Sequence, residues 1–227
     1  MKIGILHTGH APDEVLGELG DYDNMFVRLL DGKGFTFRTW NVVDMEFPSD
    51  IYQAEGWLIS GSKHGAYEDH PFIPPLEEFI REAYDAEIPT VGVCFGHQII
   101  AQALGGKVEK FQGGWTIGPQ TYEWDGSHWL LNAWHQDQVI KRPSRATNHG
   151  GNQFCENAIL VYGDRAFTMQ PHPEFRKPMI DALIKYRAQG IIPNQQIALA
   201  AQGLDAANDD MKMADMIANF FKTREVA

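Results

Sequence analysis

The residues Val91-Gly92-Val93-Cys94-Phe95-Gly96-His97-Gln98 constrain this chain more tightly than any other stretch. A short apolar run, Thr90 to Val93, reads as a buried strand, and Phe95 to Leu104 reads as a helix that follows it at once. Cys94 is left at the junction, with a glycine two positions away on either side. A strand that turns directly into a helix lifts the junction residue out of the sheet, and glycine at 92 and 96 allows close backbone approach. This is the arrangement of a nucleophile elbow, with cysteine where serine is often found. The fold must therefore bring a strand end, a helix N-terminus and a reactive side chain to one point.

The first half of the chain supplies a setting for such an elbow. Lys2 to His7 reads as a buried strand, followed by a loop of Gly, Pro and Asp. Tyr22 to Leu30 carries a helical apolar pattern that stops at Gly32. Phe35 to Trp40 and Gly56 to Ser60 read as strands, the latter ending in a Gly61-Ser62 turn. Pro74 to Ala86 is a helix opened by prolines, and Gly105 and Gly106 close the helix after Cys94. Strand and helix alternate, which argues for a parallel sheet covered on both faces.

The second half changes character. Lys107 to Phe111, Thr116 to Trp124, Trp129 to Trp134 and Gln138 to Lys141 read as short strands. Asn157 to Tyr162 and Ala166 to Met169 form a hairpin around Gly163-Asp164. Arg176 to Ala188 and Met211 to Thr223 read as helices separated by a Pro- and Gln-bearing loop. The expectation is one α/β domain over residues 1–227, its mostly parallel sheet flanked by helices, with a smaller antiparallel portion later in the chain.

A cysteine nucleophile needs help at neutral pH, because a free thiol ionises near ~8.5. The amides opening the helix at Phe95 favour a thiolate. A histidine in reach takes and returns the proton, and a third group orients it. Of 9 histidines, His172 is best placed, in Met169-Gln170-Pro171-His172-Pro173-Glu174-Phe175. It follows a strand, at the sheet edge where the elbow also lies. Prolines on both sides hold it extended, so residues 172 and 174 point the same way and Glu174 reaches His172. Taken singly, Cys94 fits inert core filler and His172-Pro173-Glu174 fits a surface turn. Their combination in this order is what favours a Cys-His-Glu triad.

These residues together resemble the class I, triad-type glutamine amidotransferases. The likeness is strongest to the stand-alone branch near the glutaminase domain of GMP synthetase and the γ-glutamyl peptidases. It runs from the first strand through Phe175, covering about residues 1–190, and leaves 191–227 as a C-terminal extension with a helix. The resemblance implies a flavodoxin-like sheet, with Cys94 attacking a glutamyl amide, His172 as acid and base, and Glu174 as its orienting partner. It further implies an oxyanion hole from the N–H groups of Gly61 and Phe95, although Gly61-Ser62 read alone fits a plain turn equally well. Gln98, one helical turn beyond Cys94, and the segment His135-Gln136-Asp137 then contact the substrate.

Ser62, at the start of the polar segment Ser62 to Asp69, joins these as part of the pocket rim, although that segment also fits a solvated loop. His97 reads as a packing or solvent-exposed residue. Trp115, Trp124, Trp129 and Trp134 read as core and sheet-face residues, and Cys155 as structural. Metal readings of His135 with Asp137, and of His7 with His10, rank low because no third ligand is spaced nearby. No metal and no cofactor are expected.

Composition narrows the partners. The chain of 227 residues has a formal charge of −11, from 30 acidic and 19 basic residues, and no Lys/Arg run makes a nucleic-acid footprint. No apolar stretch approaches the roughly 20 residues of a membrane span, and the first residues are too short an apolar run for a signal peptide. Two cysteines suggest a reducing, cytoplasmic setting rather than a disulfide framework. The expected ligand is glutamine or a γ-glutamyl compound, with a separate synthetase subunit as a possible partner. A catalytically silent binding or regulatory module is the reading from another class. It ranks low because all three triad residues are present.

Overall fold

A computed structural model describes residues 1–226. Strands β1 (Lys2–Leu6), β2 (Thr36–Trp40), β3 (Gly56–Ile59) and β4 (Thr90–Val93) form the parallel half of a large sheet. To these the later chain adds β6 (Thr116–Trp124), β7 (Ser127–His135), β9 (Thr147–Gly151), β10 (Ile159–Tyr162) and β11 (Ala166–Met169), while β5 (Lys107–Lys110) and β8 (Asp137–Lys141) pair with each other apart from it. The large sheet runs in the order β2-β1-β3-β4-β11-β10-β9-β6-β7. Pairing is parallel from β2 through β11 and antiparallel from there on. The antiparallel portion is therefore largely a continuation of the same sheet.

Helices cover both faces, which is why the central strands are apolar without alternation. Successive side chains of β3 part ways. Trp57 and Ile59 enter a core with Leu76 and Ile80 of α3 (Ile73–Asp85) and Ile99 and Ile100 of α4 (Phe95–Ala103). Leu58 enters the opposite core with Phe26 and Leu29 of α2 (Tyr22–Leu29) and with α7 (Asp210–Thr223), through Met213, Ile217, Phe220 and Phe221. The C-terminal helix is thus part of the packing on one sheet face.

Several elements depart from the sequence reading for identifiable reasons. The Gly/Pro/Asp loop contains the short helix α1 (Asp13–Leu19), which buries only Val15 and so carries little apolar periodicity. The Pro- and Gln-bearing loop contains α6 (Asn194–Gly203), whose one buried residue, Ala200, lies where a Cβ on Gly118 would meet it at 2.7 Å. Strand β9, Thr-Asn-His-Gly-Gly, lacks strand-forming residues and is held by its neighbours β10 and β6. β7 starts earlier than its apolar run because Asp125 and Gly126, both at positive φ, make a two-residue hairpin turn. The helix expected over Arg176 to Ala188 is α5 (Lys177–Leu183) followed by a π-type stretch, Ile184–Ala188. No helix among the described residues is long and apolar enough to cross a membrane.

Phe220 is fully buried and meets Phe167 of β11 edge-on, ring centroids 5.8 Å apart. Phe220→Ala is expected to lower the unfolding free energy by about 3–5 kcal/mol. Urea denaturation measures it, and a loss well under ~1 kcal/mol would mean α7 is not an integral part of the core.

Candidate active site

Cys94 caps α4 with φ 53° and ψ −104°, a left-handed conformation that costs a side-chain-bearing residue on the order of 1–3 kcal/mol. Its surroundings hold it there. The Cys94 N–H donates to the Met169 carbonyl at 2.9 Å, its carbonyl accepts from Gln98 N–H at 3.0 Å, and Gly96 N–H donates to Ser60 O at 3.1 Å. A Cβ on Gly96 would stand 2.2 Å from the Ile59 carbonyl oxygen, and one on Gly92 would stand 2.6 Å from the Gly96 carbonyl. Both glycines are therefore steric requirements of the elbow, as their spacing implied.

His172 arrives from the end of β11, the strand beside β4. Its N–H donates to Asn132 O at 2.8 Å, its ring stacks flat on Phe175 at 3.9 Å, and its Nδ1 lies 2.7 Å from Glu174 Oε1. The chain turns at Pro173 and Glu174 instead of running extended, and the carboxylate folds back to the ring. With Nδ1–H given to Glu174, Nε2 is the nitrogen left for the Cys94 thiol, which is among the groups that raise the His172 pKa. Burial alone would lower the imidazolium pKa. The Glu174 carboxylate, and then Cys94, outweigh burial and raise it to about 10.

The remaining expected residues gather round this pair. A Cβ on Gly61 would sit 3.0 Å from the His172 ring and 3.8 Å from Cys94 Cβ, so the turn after β3 covers both. The N–H groups of Gly61 and Phe95 have no intramolecular acceptor among the described residues. Gln98 is buried, and its Nε2 donates to the Asp137 carbonyl at 2.9 Å and to Gln170 Oε1 at 3.0 Å. The same carbonyl lies 3.2 Å from His135 Nδ1. Burial, aided by the charge on His172, pushes His135 down to about 3, so the ring is neutral. Gln136 Nε2 donates to Phe111 O, and the Ser62 hydroxyl accepts from His64 N–H.

Cys94, Ser62, Gln98, His135, Gln136 and Asp137 all line one cavity of about 310 Å³. Burial raises the pKa of the Asp137 carboxyl, which accepts from Tyr67 OH at 3.2 Å. Sequence reasoning missed several of the cavity's other walls. Trp115 and Trp134, read as core, line it together with Tyr22, Leu183 and Ile191. Lys63, Lys110 and Arg187 bring positive charge to the lining and Glu68 brings negative. Arg187 lies in the π-type stretch, a feature common at functional sites. Gln170, fully buried behind Gln98, escaped notice although it lies two residues before His172. His97 is also fully buried, bonded to Thr168 Oγ1 at 2.8 Å, and is a packing residue rather than a solvent-exposed one.

Elsewhere, Asp21 joins His7 and His10, their ligand-type atoms all lying within 4.8 Å of one another. Asp21 is the third ligand-type residue, which spacing along the chain had hidden.

Comparison with known proteins agrees with this architecture. A family model described as glutamine amidotransferase class-I matches residues 22–184. Gamma-glutamyl peptidase 4 of Arabidopsis thaliana is 30% identical over 223 residues, covering 91% of this chain and 89% of that protein. The crystal structure of a glutamine amidotransferase from Methylobacillus flagellatus aligns with a TM-score of 0.76 at 20% identity, covering 98% of this chain and 93% of that one. One from Thermotoga maritima aligns with a TM-score of 0.73 at 23% identity, covering 98% and 97%. These two structural matches speak to the fold.

Replacing Glu174 by Gln removes the charge that raises His172. The ring titration, followed by NMR, is expected to fall from about 10 by about 1–3 units. A raised folded-state value gives stability that is complete below the ordinary 6.5 and is lost as pH climbs through about 10. The wild type's stability advantage over Glu174→Gln should therefore be greatest below pH 6.5 and decline toward pH 10. An unchanged His172 titration would remove Glu174 from its assigned place.

Proposed function

The chain belongs to the class I glutamine amidotransferase family, and from that premise we propose that it hydrolyses the γ-amide of glutamine or of a γ-glutamyl compound. The products are glutamate and ammonia or an amine. The observation that carries this reading is the buried series Cys94, His172, Glu174, of which Cys94 lines a cavity of about 310 Å³. That volume lies at the lower end of the range for small-molecule sites.

The chemistry proceeds in two halves. The Cys94 sulfur, its proton passed to His172 Nε2, attacks the γ-carbonyl carbon. The oxyanion that develops accepts from Gly61 N–H and Phe95 N–H, two donors that face no competing acceptor. His172 returns its proton to the leaving nitrogen, the C–N bond breaks and a glutamyl thioester remains. Water then gives its proton to His172 and attacks the thioester, and the C–S bond breaks to release glutamate and restore the thiol. Glu174 keeps the imidazole in the orientation and tautomer that both proton transfers require.

Lys63, Lys110 and Arg187, together with Glu68 and Asp137, give the lining both signs of charge. Such a lining suits the zwitterionic head of an α-amino acid. Trp115, Trp134 and Ile191 offer apolar surface for an amine larger than ammonia. Both cysteines are free thiols, which suits a reducing compartment such as the cytoplasm.

Purified protein offered glutamine and a panel of γ-glutamyl amides and peptides should release glutamate together with the matching amine. Cys94→Ala should abolish turnover, and Glu174→Gln should lower kcat by about 10⁴-fold with its fold intact. Turnover that survives Cys94→Ala would defeat the thioester mechanism. Activity appearing only after a cell extract is added would favour a glutaminase subunit serving a separate synthetase.

A further inference from the structure

We propose that His7, His10 and Asp21 form a binding site for a divalent transition-metal ion of the zinc class. The three residues come from the loop leaving β1 and from the N-cap of α2. The site is separate from the Cys94 chemistry, but it adjoins the wall of the same cavity through Tyr22, the residue after Asp21.

The tautomers are fixed by what surrounds the rings. Asn41 Nδ2 donates to Glu46 Oε2 at 3.3 Å, which leaves Asn41 Oδ1 facing His7 Nδ1 at 3.1 Å. His7 Nδ1 must therefore carry the proton. In the neutral ring Nε2 is then a bare lone pair, fully buried and without a hydrogen-bond partner, aimed at the Asp21 carboxylate with 3.4 Å to Oδ1. Two acceptors facing each other across a buried gap call for a cation between them. That gap is too long for a good charge-assisted N–H···O bond, which closes to about 2.7–2.9 Å. It matches the ligand-to-ligand edge of about 3.3 Å that tetrahedral geometry gives for zinc bonds of 2.0–2.1 Å.

The shell behind these groups is already built. His10 Nδ1 lies 2.6 Å from Asp21 Oδ2, so an ion here would replace the proton on that nitrogen. His10 Nε2 lies 3.0 Å from Asp44 Oδ2 and can keep its own proton on that carboxylate. Asp21 Oδ1 accepts from the N–H groups of Ala11 and Tyr22, both at 2.8 Å. Each imidazole thus offers one nitrogen inward while an oxygen acceptor faces its other nitrogen, as ligating histidines usually require. Two neutral imidazoles and one carboxylate suit zinc and its neighbours better than magnesium or calcium. Three protein ligands leave a fourth position for water.

A bound ion would tie the exit of β1 to the first turn of α2. Tyr22 would be braced from behind, its ring edge-on to His7 with centroids 6.3 Å apart.

The test is to strip the purified full chain with chelator and titrate Zn²⁺ by calorimetry and Co²⁺ by visible absorption. One equivalent should bind, with the intense visible bands of a four-coordinate Co²⁺ centre and a rise in Tm. His10→Gln and Asp21→Asn should each abolish the Co²⁺ bands. The latter keeps a good helix cap, so its fold is preserved. Asp44→Asn should weaken binding by about 10–100-fold. His70→Gln is the control, because His64, Glu68 and His70 form a second group of ligand-type atoms within 4.8 Å of one another. Binding that His70→Gln abolishes and His10→Gln leaves intact would place the ion there and overturn the assignment. Failure of the wild-type chain to bind either ion would overturn it outright. Neither result bears on amide hydrolysis, which is read separately by glutamate release.

Discussion

The close approach of α4 to the end of β3 is the contact on which the rest of the site depends. Gly96 N–H reaches Ser60 O at 3.1 Å, with no room for a side chain between Gly96 and the Ile59 carbonyl. That contact pins the helix N-terminus, and with it the strained backbone of Cys94. It also brings the Gly61 turn over Cys94, so the Gly61 amide, the Cys94 side chain and the helix amides are fixed by one interaction. Thr8 reinforces it from the end of β1, its hydroxyl donating to Ser60 O at 2.9 Å. The cost of the left-handed cysteine is carried by packing on both sheet faces, where the central strands are buried throughout.

Electrostatics follow from the same burial. Removed from water, His172 feels the largest single effect from desolvation, but Glu174 and Cys94 act through a medium that screens them weakly and together more than offset it. His135, equally buried but without a carboxylate partner, is driven the opposite way and stays neutral. Two histidines lining one region thus hold opposite protonation states because one acidic side chain sits beside only one of them.

The central strands and the elbow were legible in the sequence because they rest on local rules. Apolar runs without alternation mean strands covered on both faces, and flanking glycines mean close approach. The pairing of Cys94 with His172 was legible only because two motifs occurred in one order. Helix α6 and strand β9 were not legible, since the first buries one alanine and the second is held by its neighbours. The aromatic and cationic walls of the cavity were also hidden. Trp115, Trp134 and Arg187 lie far from Cys94 along the chain, and nothing local marks a tryptophan as pocket rather than core. Asp21 escaped for the same reason, because tertiary folding and not sequence spacing brings it to His7 and His10.

The sheet order carries a consequence for synthesis. β11 lies directly beside β4, yet the chain builds β5 through β10 before β11 exists. A nascent polypeptide thus emerges with its thiol long before the imidazole that would activate it. The strand delivering that imidazole must slot between β4 and β10, into the middle of the sheet rather than onto an edge. On the proposed mechanism, reactivity is thereby tied to completion: the cysteine of an unfinished chain lacks the imidazole that the last central strand to enter delivers.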